Sequence, residues 1–308
     1  MDERTVLGET ENGKARRSVG EVLVHFLRRT WYWYKKIAES PGAAISVVVL
    51  ILLALMAILA PVVSPRDPYA TYIGPRLASP TLQFPFGTDV LGRDILSRII
   101  YGSQLSLIVG ILSAAVSLVF GVILGSISGY YGKSVDSILM KIVDIWLGFP
   151  PLIFALAIVT ILGKGVNNVI MAVGISGIPR LARIVRAQVL SVRETSFVEA
   201  SRALGTPSWR IILVHIVPNV LSSVIVLSTL QVAGAIISAA SLSFLGMGAQ
   251  PPTAEWGLML NEGRAYMRHA WWMTVFPGLA LFITVMAVNL LGDRMREMLD
   301  PRFMRRAK

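Results

Sequence analysis

The sequence predicts an all-α integral membrane protein with six transmembrane helices. Three observations carry that prediction. Of its 308 residues, 54% are hydrophobic and 15% charged, with a mean hydropathy of +0.65, too apolar for a soluble domain of this size. Apolar runs recur along the chain at about the length a bilayer requires. Basic residues gather in alternate connections between those runs, as membrane topology demands.

The elements follow in order. Residues 1–40 form a tail with eight Lys/Arg and no apolar core ending in a cleavage site, so it reads as a cytoplasmic tail rather than a signal peptide. Within it, VGEVLVHFLRRTWYWYKK (residues 19–36) sets Val22, Phe26 and Trp33 near helical spacing, either as an interfacial helix on the inner leaflet or as an extension of the first span. Residues 41–300 hold the spans. Span one, residues 43–64, carries no charge and would be about 33 Å long as a helix, against a hydrocarbon core of roughly 30 Å. Span two, residues 105–128, is rich in Gly and Ser, a composition that lets helices approach closely in lipid. Span three runs from Ile138 to just before Lys164, with Pro150 and Pro151 expected to kink it. Span four, residues 166–181, reads as short and weakly apolar. Span five covers residues 220–242, and span six residues 271–291, entered through Trp271 and Trp272 at an interface. Residues 301–308 form a C-terminal tail. The segments at 66–102 and 246–270 carry Gly, Pro and aromatics without strand alternation, and read as loops with short helices at most.

Charge distribution sets the expected topology. With the N-terminus in the cytoplasm, 22 of the 29 Lys/Arg fall inside and 7 outside, which places both ends inside. The net charge of +11 is then a membrane signature: lipid headgroups, not nucleic acid, are the expected partner. The absence of cysteine excludes disulfides, thiolate metal sites and a cysteine nucleophile. His25, His215 and His269 lie far apart with no metal-ligand spacing, and Gly174-Ile175-Ser176-Gly177 is an imperfect echo of a serine-hydrolase elbow, so no metal and no catalytic residue is expected. GYYGKS (residues 129–134) fails as a phosphate loop because Ile127 stands where Gly is required and a membrane helix precedes it. Neither a cofactor nor a nucleotide is expected on this chain, which reads as a transport subunit without enzymatic activity. Lys141 and Asp144 share a helical face and are expected to pair with each other or with another chain near an interface. Asp293, Arg294, Arg296 and Glu297 read as a solvated end of span six.

One cytoplasmic connection is more elaborate than a connection needs. In SFVEASRALGTPSWRIILVHIVPN (residues 196–219), Ser196 and Glu199 have capping-box spacing, and Gly205 can supply a left-handed cap. Thr206 can cap a second helix with Pro207 at its first position. Two short helices joined by a turn of one or two residues are expected. A DNA-reading helix-turn-helix is excluded by the run from Ile211 to Val217, which leaves almost no polar side chain for base edges.

These residues resemble the EAA loop of ABC importer permeases through Glu199, Ala200, Gly205 and Pro218, with Ser201 replacing the second Ala and His215 a usual Ile. LAPVVSPRDP (59–68), FGTDVLGRDILSRIIYG (86–102), SLSFLGMGAQPPTAEWG (241–257) and FPGLALFITVMAVNLLGDRMREMLDPR (276–302) resemble the C-type permease subunit of dipeptide and oligopeptide importers. The resemblance implies a type I importer permease fold, and a loop at 196–218 that docks on an ATPase through Glu199, Ala200, Ser201, Arg202, Gly205 and Pro218. It implies four partners: a homologous B-type permease, two cytoplasmic ATPase subunits that carry the ATP and Mg, and an extracytoplasmic solute-binding protein. Glu199 either closes a capping box or offers its carboxylate to a partner. The cargo stays open among dipeptides, longer peptides, nickel chelates and oligosaccharides.

Overall fold

The structure, a computed structural model, describes residues 40–299. The tails, with the helix expected at 19–36, lie outside the described residues. Helix α1 (Pro41–Ile58) begins with a proline at its first turn, where no donor is required, and the short α2 (Ala60–Val63) continues it. An irregular segment leads to Asp94, whose carboxylate accepts from the Ser97 amide at 2.9 Å and caps α3 (Ile95–Tyr131). Its 37 residues begin ten before the expected span and would extend about 55 Å.

The third expected span is broken sharply at its expected kink. Two helices, α4 (Lys133–Leu147) and α5 (Pro151–Leu162), meet there at 91°. Pro150 and Pro151 lack the donors that would continue the ladder, and the Gly148 amide closes α4 onto Asp144 O and Ile145 O. At 12 residues, α5 is about 18 Å long, too short to cross a bilayer alone. Among the described residues five helices are long and apolar enough to span, or six counting the bent pair as one.

The fourth span is corrected, because α6 (Val166–Arg193) runs for 28 residues. Arg180, Arg183 and Arg186 lower its hydropathy without ending the helix. After α7 (Ser196–Ala203), a single helix α8 (Ser208–Phe244) contains the fifth span and absorbs the second of the two short helices that had been expected. Ile211–Ile216 form a π turn just before Pro218, a proline that can neither donate to nor tolerate a normal preceding turn. Asn219 Nδ2 donates to His215 O at 2.6 Å there. Helix α9 (Trp256–Gly263), a 3₁₀ turn and α10 (Trp272–Leu299) complete the described chain. No strand occurs among the described residues beyond one isolated bridge, Thr88 with Asp94.

The centre of the bundle is the α3–α6 seam. A Cβ on Gly121, Gly125 or Gly129 would lie 2.6–2.8 Å from the Cβ of Leu181, Val185 or Val189, so each turn of α3 needs a bare backbone. At the Val166 end of α6, the loop segments close over a buried ionic cluster. Arg93 Nε meets Asp89 at 2.5 Å, while Arg93 and Arg98 share Glu262 at 3.1 and 3.2 Å. Glu255 accepts from the Gly257 and Leu258 amides to cap α9, and burial pushes its carboxyl above the usual range.

Candidate coupling site and the cavities between the spans

The site predicted at residues 196–218 is built on a sharp turn between α6 and α8. Thr195 is the N-cap of α7, but its hydroxyl donates back to Val192 O at 2.6 Å and caps nothing. Ser196 becomes the first helical residue, and the expected capping box between Ser196 and Glu199 does not form. Glu199 stands exposed, with no side-chain partner among the described residues. The other end closes as foreseen at Gly205, which adopts φ +75°. The Gly205 amide donates to Arg202 O at 3.0 Å and the Thr206 amide to Ser201 O at 3.1 Å, the paired bonds of a Schellman end. Thr206 is thus consumed by this closure, and α8 starts at Ser208 with Pro207 before it and no side-chain cap.

The loop is seated chiefly through one buried side chain, with Phe197 edge-on to His215 of α8 beside it. Val198, wholly buried, joins Tyr130 of α3, Leu181, Val185 and Val189 of α6, and Ile211 to Val224 of α8 in one apolar cluster. Around that anchor Ala200, Arg202, Ala203 and Leu204 are exposed, Leu204 to 85% and Trp209 to 63%. Arg202 lies over the Tyr130 ring, 5.3 Å from its centroid, and Ser201 Oγ donates to Phe197 O at 2.8 Å. Pro218 is set apart from this face, beyond the π turn.

Two cavities open between α6 and α8. One, about 280 Å³, is walled by Ser117, Ser176, Gly177, Arg180, Gln231 and Ser238 among others. The second, about 550 Å³, shares Arg180, Leu230, Gln231 and Gly234 and adds Asn289 and Arg296. No carboxylate lines either. Gln231 Nε2 donates to Gly177 O at 3.1 Å, leaving Oε1 buried without a partner, a state that costs on the order of 1–3 kcal/mol.

Residues 121–305 match the family of binding-protein-dependent transport system inner membrane components, and residues 26–80 match the N-terminal transmembrane domain of oligopeptide transport permease C. The chain belongs to this family of ABC importer permeases. The dipeptide transport system permease protein DppC of Alkalihalophilus pseudofirmus is 41% identical over 269 residues, 87% of this chain and 88% of that one. The glutathione transport system permease protein GsiD of Escherichia coli is 43% identical over 278 residues, 90% and 92% of the two chains. The Di/tripeptide transport system permease protein DppC of Pseudomonas aeruginosa is 39% identical over 276 residues, 88% and 91%. In fold, the permease is similar to a chain of the MetNI methionine ABC transporter, with a TM-score of 0.54 at 19% identity over 66% of this chain and 96% of that one. It is a multi-pass, non-catalytic membrane component with the type I permease fold. Among its described residues no group of three His, Cys, Asp or Glu is placed to hold a metal.

Two ion pairs brace α4 of the permease against α6. Arg186 meets Asp136 through Nε and Nη2, both at 2.5 Å, and Ser128 of α3 donates to the same carboxylate. Asp144 pairs with Arg183, so the expected pairing with Lys141 is corrected. Arg180, one turn away on the same helix, has no partner among the described residues. Sequence reading missed Arg180 and Gln231 as cavity residues, because the cavities are assembled from helices far apart in the chain.

Proposed function

We propose that this permease imports peptides and is driven through the turn at residues 196–205. The observation that carries the reading is the seating of α7: one buried valine connects it to three spans, while most of its remaining surface, Glu199, Ala200 and Ala203 included, stands exposed. A force applied to that surface is delivered to the packed core of α3, α6 and α8 at once. Glu199 offers an unengaged carboxylate, Ala200 and Ala203 permit close approach, and Gly205 sets the exit direction.

In this reading two cytoplasmic ATPase subunits bind ATP and Mg, dock on α7 and its counterpart in a homologous B-type permease, and switch the pathway between the two permeases. A switch from 1:99 to 99:1 requires a bias of roughly 5.5 kcal/mol, so the joint has to be stiff. An extracytoplasmic binding protein delivers the cargo. The basic excess at 1–40, 180–210 and beyond Arg294 supports placing both termini and the α7 turn in the cytoplasm. Peptide cargo is supported by the relatives named for dipeptides, di- and tripeptides and glutathione, itself a tripeptide.

The test is uptake and ATP hydrolysis by the reconstituted complex. Gly205→Val places a β-branched residue at φ +75°, and Glu199→Lys reverses the exposed charge. Both variants are expected to insert normally and to lose uptake at least about tenfold relative to ATP turnover. Wild-type uptake by both would remove α7 from the coupling route.

A further inference from the structure

Arg180 has no ion-pair or hydrogen-bond partner among the described residues. Its neighbours on α6, Arg183 and Arg186, are each matched by an aspartate of α4. Arg180 is exposed on the wall common to both cavities, about 21 Å along α6 from Val166. The cavities contribute Ser117, Ser176, Gln231, Ser238 and Asn289 but no acid. What they lack is an anion.

The planar fork of arginine suits a carboxylate, which it can take through two parallel hydrogen bonds. Beside it, Gln231 is held to Gly177 through Nε2, and the absence of a Cβ on Gly177 permits this: a Cβ there would lie 3.0 Å from Nε2. The Gln231 Oε1 is the one acceptor of this pair without a donor. A free peptide end presents a carboxylate for Arg180 and, one bond from its Cα, an amide N–H that donates to Gln231 Oε1 once that buried oxygen turns to the cavity. Small residues at Gly177, Gly234 and Ser238 leave side-chain room around the pair, consistent with a site that reads the peptide terminus rather than its side chains.

We propose that Arg180, with Gln231 beside it, is the point in the translocation pathway that holds the α-carboxylate of the passing peptide. This rests on the peptide-import reading above. A short peptide with a free carboxyl end is favoured, and a C-terminal amide is not.

The chain has no cysteine, so Ser238→Cys gives this subunit a single thiol on the cavity wall. In the assembled complex, the rate at which that thiol reacts with a sulfonate-bearing thiosulfonate is compared with the rate for a trimethylammonium-bearing one, reading the mass of this subunit. Arg180→Gln is expected to lower the anion-to-cation rate ratio about tenfold. An unchanged ratio overturns the proposal, as it would if a partner subunit's acid or a lipid already neutralised Arg180. In proteoliposomes with saturated binding protein, Arg180→Gln is expected to slow dipeptide uptake by a similar factor, and uptake at the wild-type rate also overturns it. The peptide-import reading fails separately, by a wild-type complex that hydrolyses ATP and imports no peptide. The thiol measurement uses no cargo and keeps the two failures apart.

Discussion

The two ends of this permease treat charge in opposite ways. At the loop end, Asp89, Arg93, Arg98 and Glu262 are drawn together and the two arginines are almost fully buried. Arg98 additionally donates to the Pro68, Pro252 and Thr253 carbonyls. At the α7 end, Glu199 is presented to solvent and a single buried valine anchors the helix in the core. One end is complete in itself, and in the coupling reading proposed above the other is finished by a partner. The contrast separates residues that hold the fold from residues that use it, and substitutions at the two ends should fail differently.

The largest effect is expected at the loop end. Glu262→Ala removes the carboxylate shared by Arg93 and Arg98 and leaves two buried guanidinium groups with Asp89 between them. Breaking a buried pair in this way costs on the order of 3–5 kcal/mol. The thermal midpoint of the purified permease in detergent, followed by tryptophan fluorescence, should fall sharply, with Glu262→Gln intermediate. A midpoint equal to wild type would mean that the cluster is not what closes this end.

Why one end was legible in the sequence and the other was not follows from distance along the chain. Apolar runs declare most spans because each is local, and Gly205 was readable as a left-handed cap because the helix it ends lies beside it. The arginine cluster was not readable, since Glu262 lies 164 and 169 residues from its two partners. The same reason hid the full length of α6. Arg183 and Arg186 look like breaks in a span until Asp144 and Asp136, 39 and 50 residues earlier, are brought against them. The capping box was misread for a local reason: Thr195 turned its hydroxyl back onto Val192, shifting the start of α7 by one residue. The expected kink at Pro150 and Pro151 was located correctly, but how far the chain turns there depends on the packing of α5 against α6, where Ala155 and Val159 are buried with Val169 and Val173.

A smaller effect is expected where the open end meets the core. Val198→Ala removes two buried methyl groups, a loss of about 1.5 kcal/mol outside the membrane. A thermal midpoint lowered by a few degrees should accompany a much larger fall in uptake per ATP hydrolysed, because the substitution loosens the buried anchor of α7. Parallel losses of stability and coupling would show that Val198 is ordinary core and that α7 is seated elsewhere.

The smallest effect on the fold decides the finer question of which side chain meets the partner. Ser201 is bonded to Phe197 O, and Arg202 is drawn over Tyr130, a contact of about 0.5–1 kcal/mol at an exposed site. Both have something to lose inside the permease itself. Glu199 does not, because the capping box that would have occupied it is absent. Glu199→Gln should therefore leave the thermal midpoint within error, its cost below about 0.5 kcal/mol, while Arg202→Gln lowers it slightly. Affinity for the isolated ATPase subunits should show the reverse order, with Glu199→Gln weakening binding more than Arg202→Gln and by an amount that shrinks as salt is raised. If Arg202→Gln instead gives the larger loss of affinity, its stacking on Tyr130 is given up on docking, and the contact seen in the free permease is the resting position of the residue that reaches the ATPase.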